Sequence, residues 1–555
     1  MDKFKVLLMY PNEPMVGVIP SNLAYLSACL KEAGHDVRLF DTSLYKSIRY
    51  APRRDNWNQQ KETTKSFDSV SSQDELRTKM GHVKTSNVGD YQKMRETSPH
   101  SDFADLVEDW KPNLIATTTV DSTIEFTWKF IEEIRGKRPK VIMGGVGATF
   151  NYDRILNSEY VDYVNVGEGE GSLPELCGRL QRNEDCYDIK NIYLKGPDGK
   201  IITNPQRPRT DIDELPMPDF SIYEEQRFYR PFMGRVVRMV QIDWDRGCPY
   251  QCTYCAAPAI VANNRKEKIG NYYRVKNEDK IFEEMKFLIK TYSLDFMYIS
   301  SETLCIIPWE KFKRLGERYI KEIGLPFWCQ SRLDSFTEER TELLKRMGCQ
   351  SVSVGLEHGS EKVRMGILRK QLRNDKVLDG FKTLAKYNIR PTVNSMMGLP
   401  DETREEVFET LELNRKIAKI LKGNRNLNIF TFVPFHGTAL RTMCINKGYV
   451  NPEEPIPFSF YKESMLTMPQ LSKEEIAGLE KTAHLYIELP KSYYPKIKIA
   501  EKDDKKGRKM FDELSNIFQK IKAKQDDALN VTVEEDHLSS PMVNFGGKID
   551  LTGDY

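Results

Sequence analysis

The sequence lacks any apolar run near the ~18 residues that a bilayer-spanning helix needs, so no such helix is expected. Its first stretch, MDKFKVLLMYPNEP, has too short an apolar core for a secretory leader, and KVLLMY reads as a buried strand. A cytoplasmic location is expected, with peripheral membrane contact left open. Charge of one sign is not in excess: 83 Lys and Arg stand against 81 Asp and Glu. That balance argues against a broad nucleic-acid-binding surface and leaves only local patches. Histidine is scarce, at seven residues, and the single cysteine cluster has no second cysteine pair beside it. No GxGxxG follows the first strand, which disfavours a dinucleotide site. No repeat of solenoid period is present either.

What is present is a chain of 555 residues, too long for one domain at roughly 100–200 residues each. Apolar residues make up 39% and charged residues 30%, as in globular proteins. The sequence predicts an α/β protein. Residues 1–180 alternate strands (FKVLLMY, VRLFD, NLIATTT, KVIMGG and the start of YVDYVNVGEGEG) with helices such as SNLAYLSACLKEAG, which stops at Gly34. This rhythm predicts a doubly wound, Rossmann-like parallel sheet covered on both faces. A polar excursion with some helix interrupts it at 46–103. A connector over 181–235 contains the hairpin-like KGPDGK and the extended ELPMPDF.

The rhythm restarts at 236. Candidate strands are VVRMVQIDW, FMYISS, PFWCQSR, SVSVGLE, RPTVNSMMG and NLNIFTFVP, with helices between them. They predict a partial (β/α)6 barrel over 236–445, its active site at the C-terminal strand ends. A helical region is expected over 446–525 and a weakly ordered tail over 526–555. The Lys-rich stretch after Pro495 reads first as a solvated helix face.

Of the ten cysteines, seven are scattered and three are clustered. Scattered cysteines in a large intracellular chain are usually small buried apolar residues, not a disulfide framework. The cluster, DRGCPYQCTYCAAP, places Cys248, Cys252 and Cys255 on the loop after the first barrel strand. Three thiolates can hold three irons of a 4Fe–4S cluster and leave the fourth open to a ligand. The alternative is zinc, which usually takes four ligands, and the nearest histidine along the chain is His358.

This C-x3-C-x2-C loop, with the aromatic Tyr254 before the last cysteine, resembles the radical S-adenosylmethionine (SAM) superfamily over about 237–440. The resemblance implies that the open iron chelates SAM and that electron transfer, from a donor of flavodoxin or ferredoxin type, releases a 5′-deoxyadenosyl radical. It assigns Tyr254 to the adenine side and Glu302, in Ser300-Ser301-Glu302, to the methionyl amino group. The glycines usual in that turn are missing. Alternation groups Ser351, Ser353, Gly355 and Glu357 on one strand face. Val352, Val354 and Leu356 then face the helices, so Ser353 and Glu357 point inward, and Glu357 fits a SAM-binding position. Gln330 and Arg332 are likewise assigned inward and Cys329 outward. VNSMMGLPDET resembles the late GxP turn, which implies Asn394 or Ser395 near the ribose and Gly398 beside the adenine. For each of these positions, ordinary barrel filling is the competing reading.

The N-terminal region resembles the cobalamin-binding domain of one radical SAM subfamily. The resemblance rests on GG-x-G-x-T (Gly144, Gly145, Gly147, Thr149) and on the GEGE turn (Gly167, Glu168, Gly169, Glu170). Asn12 and the hydroxyls of Thr117, Thr118 and Thr119 complete the candidate contacts. The DxHxxG motif is absent, and the first loop offers Asn12 and Glu13 but no histidine, so no histidine ligand to cobalt from this domain is expected. A purely structural Rossmann-like domain is the competing reading.

With both cofactors, the resemblance implies a methyltransferase acting on an unactivated carbon, or a phosphorus, of a small molecule or lipid. One SAM would methylate cobalamin and a second would make the radical. Two alternatives stay open: a cyclase or oxidase without methyl transfer, and a non-catalytic cofactor-binding regulator. Cys305 and His436 are pocket candidates. A buried structural cysteine and a hydrogen-bonded loop histidine are their simpler readings.

Overall fold

A computed structural model describes residues 3–12, 19–45, 47–50, 63–66, 91–233, 235–458 and 463–528. Two sheets organise it, and their strands are numbered here in chain order. The first holds β1 (Lys5–Tyr10), β2 (Asp36–Asp41), β3 (Leu114–Thr118), β4 (Lys140–Gly144), β5 (Tyr163–Asn165), β6 (Ile192–Lys195) and β7 (Ile201–Thr203). Their spatial order is β2-β1-β3-β4-β5-β6-β7. β1 to β5 are parallel, and β6 and β7 join antiparallel. The central strands are apolar on both faces: Val6, Leu7, Leu8 and Met9 of β1 are fully buried. A parallel sheet covered on two sides requires such runs. The order 2-1-3-4-5 is that of a doubly wound fold, with its switch point between β1 and β3.

The KGPDGK hairpin is thus an edge of this sheet. A segment that reads as a linker because it is short and polar folds because Tyr163 and Asn165 of β5 offer it an unpaired strand edge. The helix Pro99–Trp110, which starts at the end of the excursion and runs past it, belongs to the sheet packing, burying Phe103, Val107 and Trp110. The remainder at 51–62 and 67–90, and the tail at 529–555, lie outside the described residues.

The second sheet holds β8 (Gln241–Ile242), β9 (Met297–Ile299), β10 (Phe327–Ser331), β11 (Cys349–Glu357), β12 (Arg390–Met397) and β13 (Asn426–Thr431). They pair in sequence order, all parallel, and the sheet does not close on itself. This is the partial six-stranded barrel. The reading of VVRMVQIDW as one strand is corrected. Arg235–Arg238 forms a hairpin with Tyr229–Phe232, and only Gln241–Ile242 joins the barrel; just beyond the run, Asp245–Arg246 pairs with Arg274–Val275. Propensity alone cannot divide one run between two partners.

β10 to β13 alternate between buried and half-buried residues. The buried set faces the helices, and the half-buried set lines an open lumen. Beyond β13, the helix Lys473–Glu488 covers the barrel edge, and Ile476 packs against Gly398. Its start is legible as a capping box, Ser472 with Glu475, as is that of Arg404–Leu421, Thr403 with Glu406. Among the described residues no helix is long and apolar enough to cross a membrane.

Candidate functional site

The cysteine loop is pinned from several sides. Gly247 has φ 88°, and a Cβ there would lie 2.4 Å from the Tyr272 carbonyl oxygen, so only glycine lets these backbones meet. Thr253 donates through its backbone to the Leu368 carbonyl (3.1 Å) and through its hydroxyl to that of Ile367 (2.6 Å). The segment it grips, Val363–Ile367, is a single π-helical turn, a form common at functional sites.

Cys252 is buried, and Cys248 and Cys255 are half-buried. Burial raises the Cys248 thiol, and it lifts Cys255 to about 11, with Glu302 and the neighbouring cysteines adding to the rise. Thiols at such positions ionise when a cation neutralises them. The Ala257 N–H points at the Cys255 sulfur (3.4 Å), the kind of hydrogen bond that tunes an iron–sulfur cluster. Among the described residues no three His, Cys, Asp or Glu side chains converge as the ligands of one metal ion. A cluster makes a different demand, since each thiolate serves its own iron. His358 provides no fourth ligand: it is fully buried and bonded to Glu402 at 2.7 Å. Donor type, mutual proximity and partial exposure therefore fit a three-cysteine cluster.

The expected SAM residues gather on the wall beside this loop. The Tyr254 hydroxyl donates to Glu357 Oε1 (2.9 Å), which also meets Lys370 Nζ (2.8 Å). Gly355 makes room for this carboxylate: a Cβ there would lie 1.9 Å from Glu357 Oε1. Glu357 itself has φ 66°, at a break in register between β11 and β12. A non-glycine residue held there is strained. Asn394 donates to Ser353 (3.1 Å) and accepts from Asn428 (2.8 Å), which makes a polar ladder across β11, β12 and β13. Ser395 points the other way, to Asn414 on the helix Arg404–Leu421, so of the pair Asn394 or Ser395 only Asn394 faces the lumen. Gln330 is half-buried on the inner face of β10. Arg332 pairs with Asp334 and stacks its guanidinium 3.9 Å from the Tyr250 ring centroid, inside the cysteine loop. Gly398 (φ 77°) donates its N–H to Glu402. Glu302 follows β9 with part of its side chain exposed, and the protein packed around its carboxyl, then the Asp243 charge, raises its pKa.

Lys370, Asn428, Met396 and Phe430 complete this wall and escape a sequence reading. The last three sit on the alternating inner positions of β12 and β13 and were open to that argument. Lys370 comes from an irregular segment with no period to follow.

Cys305 is corrected as a pocket residue. It is 1% exposed, in the core beneath the sheet, and burial raises its thiol to about 12. Cys329 is fully buried, as expected. His436 lies at the seam between the sheets: its backbone N–H donates to Asp121 Oδ2 (2.7 Å), and its ring lies 3.3 Å from the same oxygen.

That seam brings the C-terminal edges of the two sheets together. Ser21, at the start of the helix after β1, donates to Asp243 beyond β8 (2.9 Å). Glu170 pairs with Arg246 (2.5 Å), two residues before Cys248. Glu168 pairs with Arg274 and takes the Thr210 N–H (2.8 Å), so its side chain serves the seam. Tyr25, Lys276 and Glu284 form a buried trio across the same boundary.

The cobalamin candidates lie along the first sheet's edge. Asn12 is held by Thr42 and Tyr10, and Thr118 by Asn22. Thr119 bonds to the Gly144 carbonyl, and Thr149 to Gly145 and Gly167. The Thr117 hydroxyl is buried and has no hydrogen-bond partner among the described residues. Gly145 and Gly147 answer an internal demand, where a close ligand approach was expected. Cβ atoms there would lie 2.6 Å from the Thr119 oxygen and 2.5 Å from the Val120 carbon, so these glycines let the loop after β4 press on the loop after β3. Gly144, Gly167 and Gly169 meet no comparable obstruction. The loop glycines leave Val120 and Val146 standing out at 48% and 41% exposure. Exposed apolar residues paired at a ligand-binding edge suit a flat, largely apolar ring. The chemistry of the edge therefore fits a corrin, and Val120 and Val146, which the sequence reading did not single out, are the exposed apolar residues on it.

Comparison with known proteins agrees with this geometry. Residues 245–413 match the family model for the radical SAM superfamily, and residues 83–177 that for the B12 binding domain. An uncharacterized methyltransferase of Pyrococcus horikoshii is 25% identical over 58% of this chain and 68% of its own length. An anaerobic magnesium-protoporphyrin IX monomethyl ester cyclase of Rubrivivax gelatinosus is 24% identical over 55% of this chain and 54% of its own. In fold, the chain resembles the radical SAM methyltransferase TsrM from Kitasatospora setae, solved with cobalamin and a [4Fe–4S] cluster bound. The TM-score is 0.56 at 15% identity, over 94% of this chain and 100% of that one. With a radical SAM domain over 245–413 and a B12-binding domain over 83–177, this chain is a radical SAM enzyme whose two domains imply a 4Fe–4S cluster, SAM and cobalamin as cofactors.

Proposed function

We propose that this enzyme is a methyltransferase acting on an unactivated carbon, or a phosphorus, of a small molecule or lipid. The observation that carries the reading is the seam. The Val120–Val146 ledge and the cysteine loop belong to different sheets, and Glu170–Arg246, Ser21–Asp243 and Asp121–His436 hold their edges against each other. A substrate between them would meet both. When bound, the cluster and SAM supply a 5′-deoxyadenosyl radical, and cobalamin supplies a transferable methyl group. The protein's task is then positioning and exclusion of water. Tyr254, Glu357 and Lys370 orient one partner, and the polar ladder of Ser353, Asn394 and Asn428 orients its sugar. Tyr250 and Arg332 shield the loop.

The cyclase-named relative favours a second reading, ring closure or oxidation without methyl transfer. The products separate the two. Anaerobically purified enzyme from cobalamin-fed cells is reduced, given SAM, and assayed for S-adenosylhomocysteine and 5′-deoxyadenosine. A methyltransferase forms both. A cyclase or oxidase forms 5′-deoxyadenosine alone, and a non-catalytic protein forms neither.

A further inference from the structure

We propose that Arg227 and Arg230 form an oxyanion-binding site at the C-terminal edge of the first sheet, beside Tyr10 and Asp41. Arg227 is fully buried. Its Nε donates to Asp41 Oδ2 at 2.8 Å, while Nη1 and Nη2 have no hydrogen-bond partner among the described residues. The other oxygen of Asp41 accepts the Ser43 N–H at 2.8 Å. The ion pair is thus a one-point contact. It fixes the guanidinium and leaves its two-nitrogen edge unused, and that planar fork matches two oxygens of a carboxylate or phosphate.

Arg230 adds a second buried, unpartnered nitrogen, Nη1. Burial, then the Arg227 charge, lowers its pKa to about 10, so the two guanidiniums lie close enough to repel. Two cations face one carboxylate, with the whole Arg227 side chain and the Arg230 Nη1 held out of water, an excess of positive charge whose cost an anion would offset. The Tyr10 hydroxyl feels both arginines and accepts from Asn12 at 2.6 Å, so its own proton can be donated. Tyr10 and Asp41 end β1 and β2, at the edge where doubly wound sheets take their ligands. Both arginines come from 181–235, a segment that reads from sequence as a connector.

The ligand is an oxyanion with two sources: an anionic group of the substrate, or the phosphodiester of cobalamin. The second source rests on the reading of this edge as the cobalamin edge. The test uses the full chain from cobalamin-free cells, with inorganic phosphate as probe and chloride at matched ionic strength as control. Phosphate should raise the thermal midpoint of the wild type and fail to do so for Arg230→Gln and for Arg227→Gln. Arg230→Gln keeps the Asp41 pair and stands in if Arg227→Gln does not fold. If the cofactor is the source, saturation with hydroxocobalamin abolishes the phosphate response. The variants then bind hydroxocobalamin roughly ten- to a hundredfold more weakly, with cobinamide, which lacks the phosphate, unaffected. If the substrate is the source, the phosphate response persists in the cobalamin-saturated protein. No phosphate response beyond chloride in the wild type, or an undiminished one in both variants, overturns the site. Failure to bind both corrinoids while phosphate still binds would instead remove the cobalamin reading alone.

Discussion

Glu170 and Arg246 form an ion pair at 2.5 Å that ties the glycine-rich turn after β5 to the residue two places before Cys248. Both side chains are largely buried, at 9% and 16% exposure. Glu170→Gln would leave the arginine short of its counter-charge, at a cost on the order of 3 kcal/mol. The expected result is a lower thermal midpoint and faster hydrogen exchange at 166–171 and 246–252, with iron content retained. Unchanged exchange on both sides would remove the pair's bridging role.

Cys248→Ser, Cys252→Ser and Cys255→Ser should each abolish SAM cleavage and deplete iron and sulfide. The fold should survive, because the loop is held by Gly247 and Thr253 and not by the thiols. Iron analysis, electron paramagnetic resonance of the reduced protein and circular dichroism check the three parts.

Glu357 is strained, meets Tyr254 and Lys370, and faces the lumen. Glu357→Gln should weaken SAM binding roughly tenfold or more without loss of the cluster. Equilibrium dialysis on the reconstituted protein measures this. Equal affinity would reduce Glu357 to a structural partner of Lys370.

Val120 and Val146 are exposed, so changing them costs the isolated protein little. Val120→Asp should lower the cobalamin retained per chain while iron stays at the wild-type level. Corrinoid released by cyanide, measured against iron, gives the ratio.

Asp245 is 3% exposed. Burial, opposed by the nearby Ser301 hydroxyl and reinforced by Asp243 and Glu302, raises its pKa to about 7. A raised folded pKa means that the native state binds the proton more tightly than the unfolded chain. Asp245 therefore weakens the fold as pH rises from its ordinary value of 3.8 through about 7, and the penalty is complete above that. Asp245→Asn removes it. The variant should melt higher than wild type at pH 8, by an amount worth several kcal/mol at most, roughly 1.4 per pKa unit, and the gap should close at low pH. Parallel melts at pH 5 and pH 8 test the sign.

Much of this enzyme is legible in its sequence because its signals are local. Cys248, Cys252 and Cys255 are close in the chain, so their shared loop follows from spacing. Alternation over Val352–Glu357 matches the way Ser353 and Glu357 point, because a strand has period two, although the register breaks at Glu357 itself. Capping boxes and glycine stops mark helix ends for the same reason. What only the tertiary structure decided are relations between distant segments. The partition of VVRMVQIDW depended on which strands lay alongside it. Gly145 and Gly147 turned out to serve loop packing, and Glu168 the seam between the sheets, because their partners are Thr119, Val120 and Arg274. Arg227 and Arg230 gained meaning only when the connector folded onto the ends of β1 and β2. A chain writes its periodicities and short-range ligands directly, while burial, charge pairing and the meeting of two sheet edges arise only once segments far apart in sequence compete for the same space and the same partners.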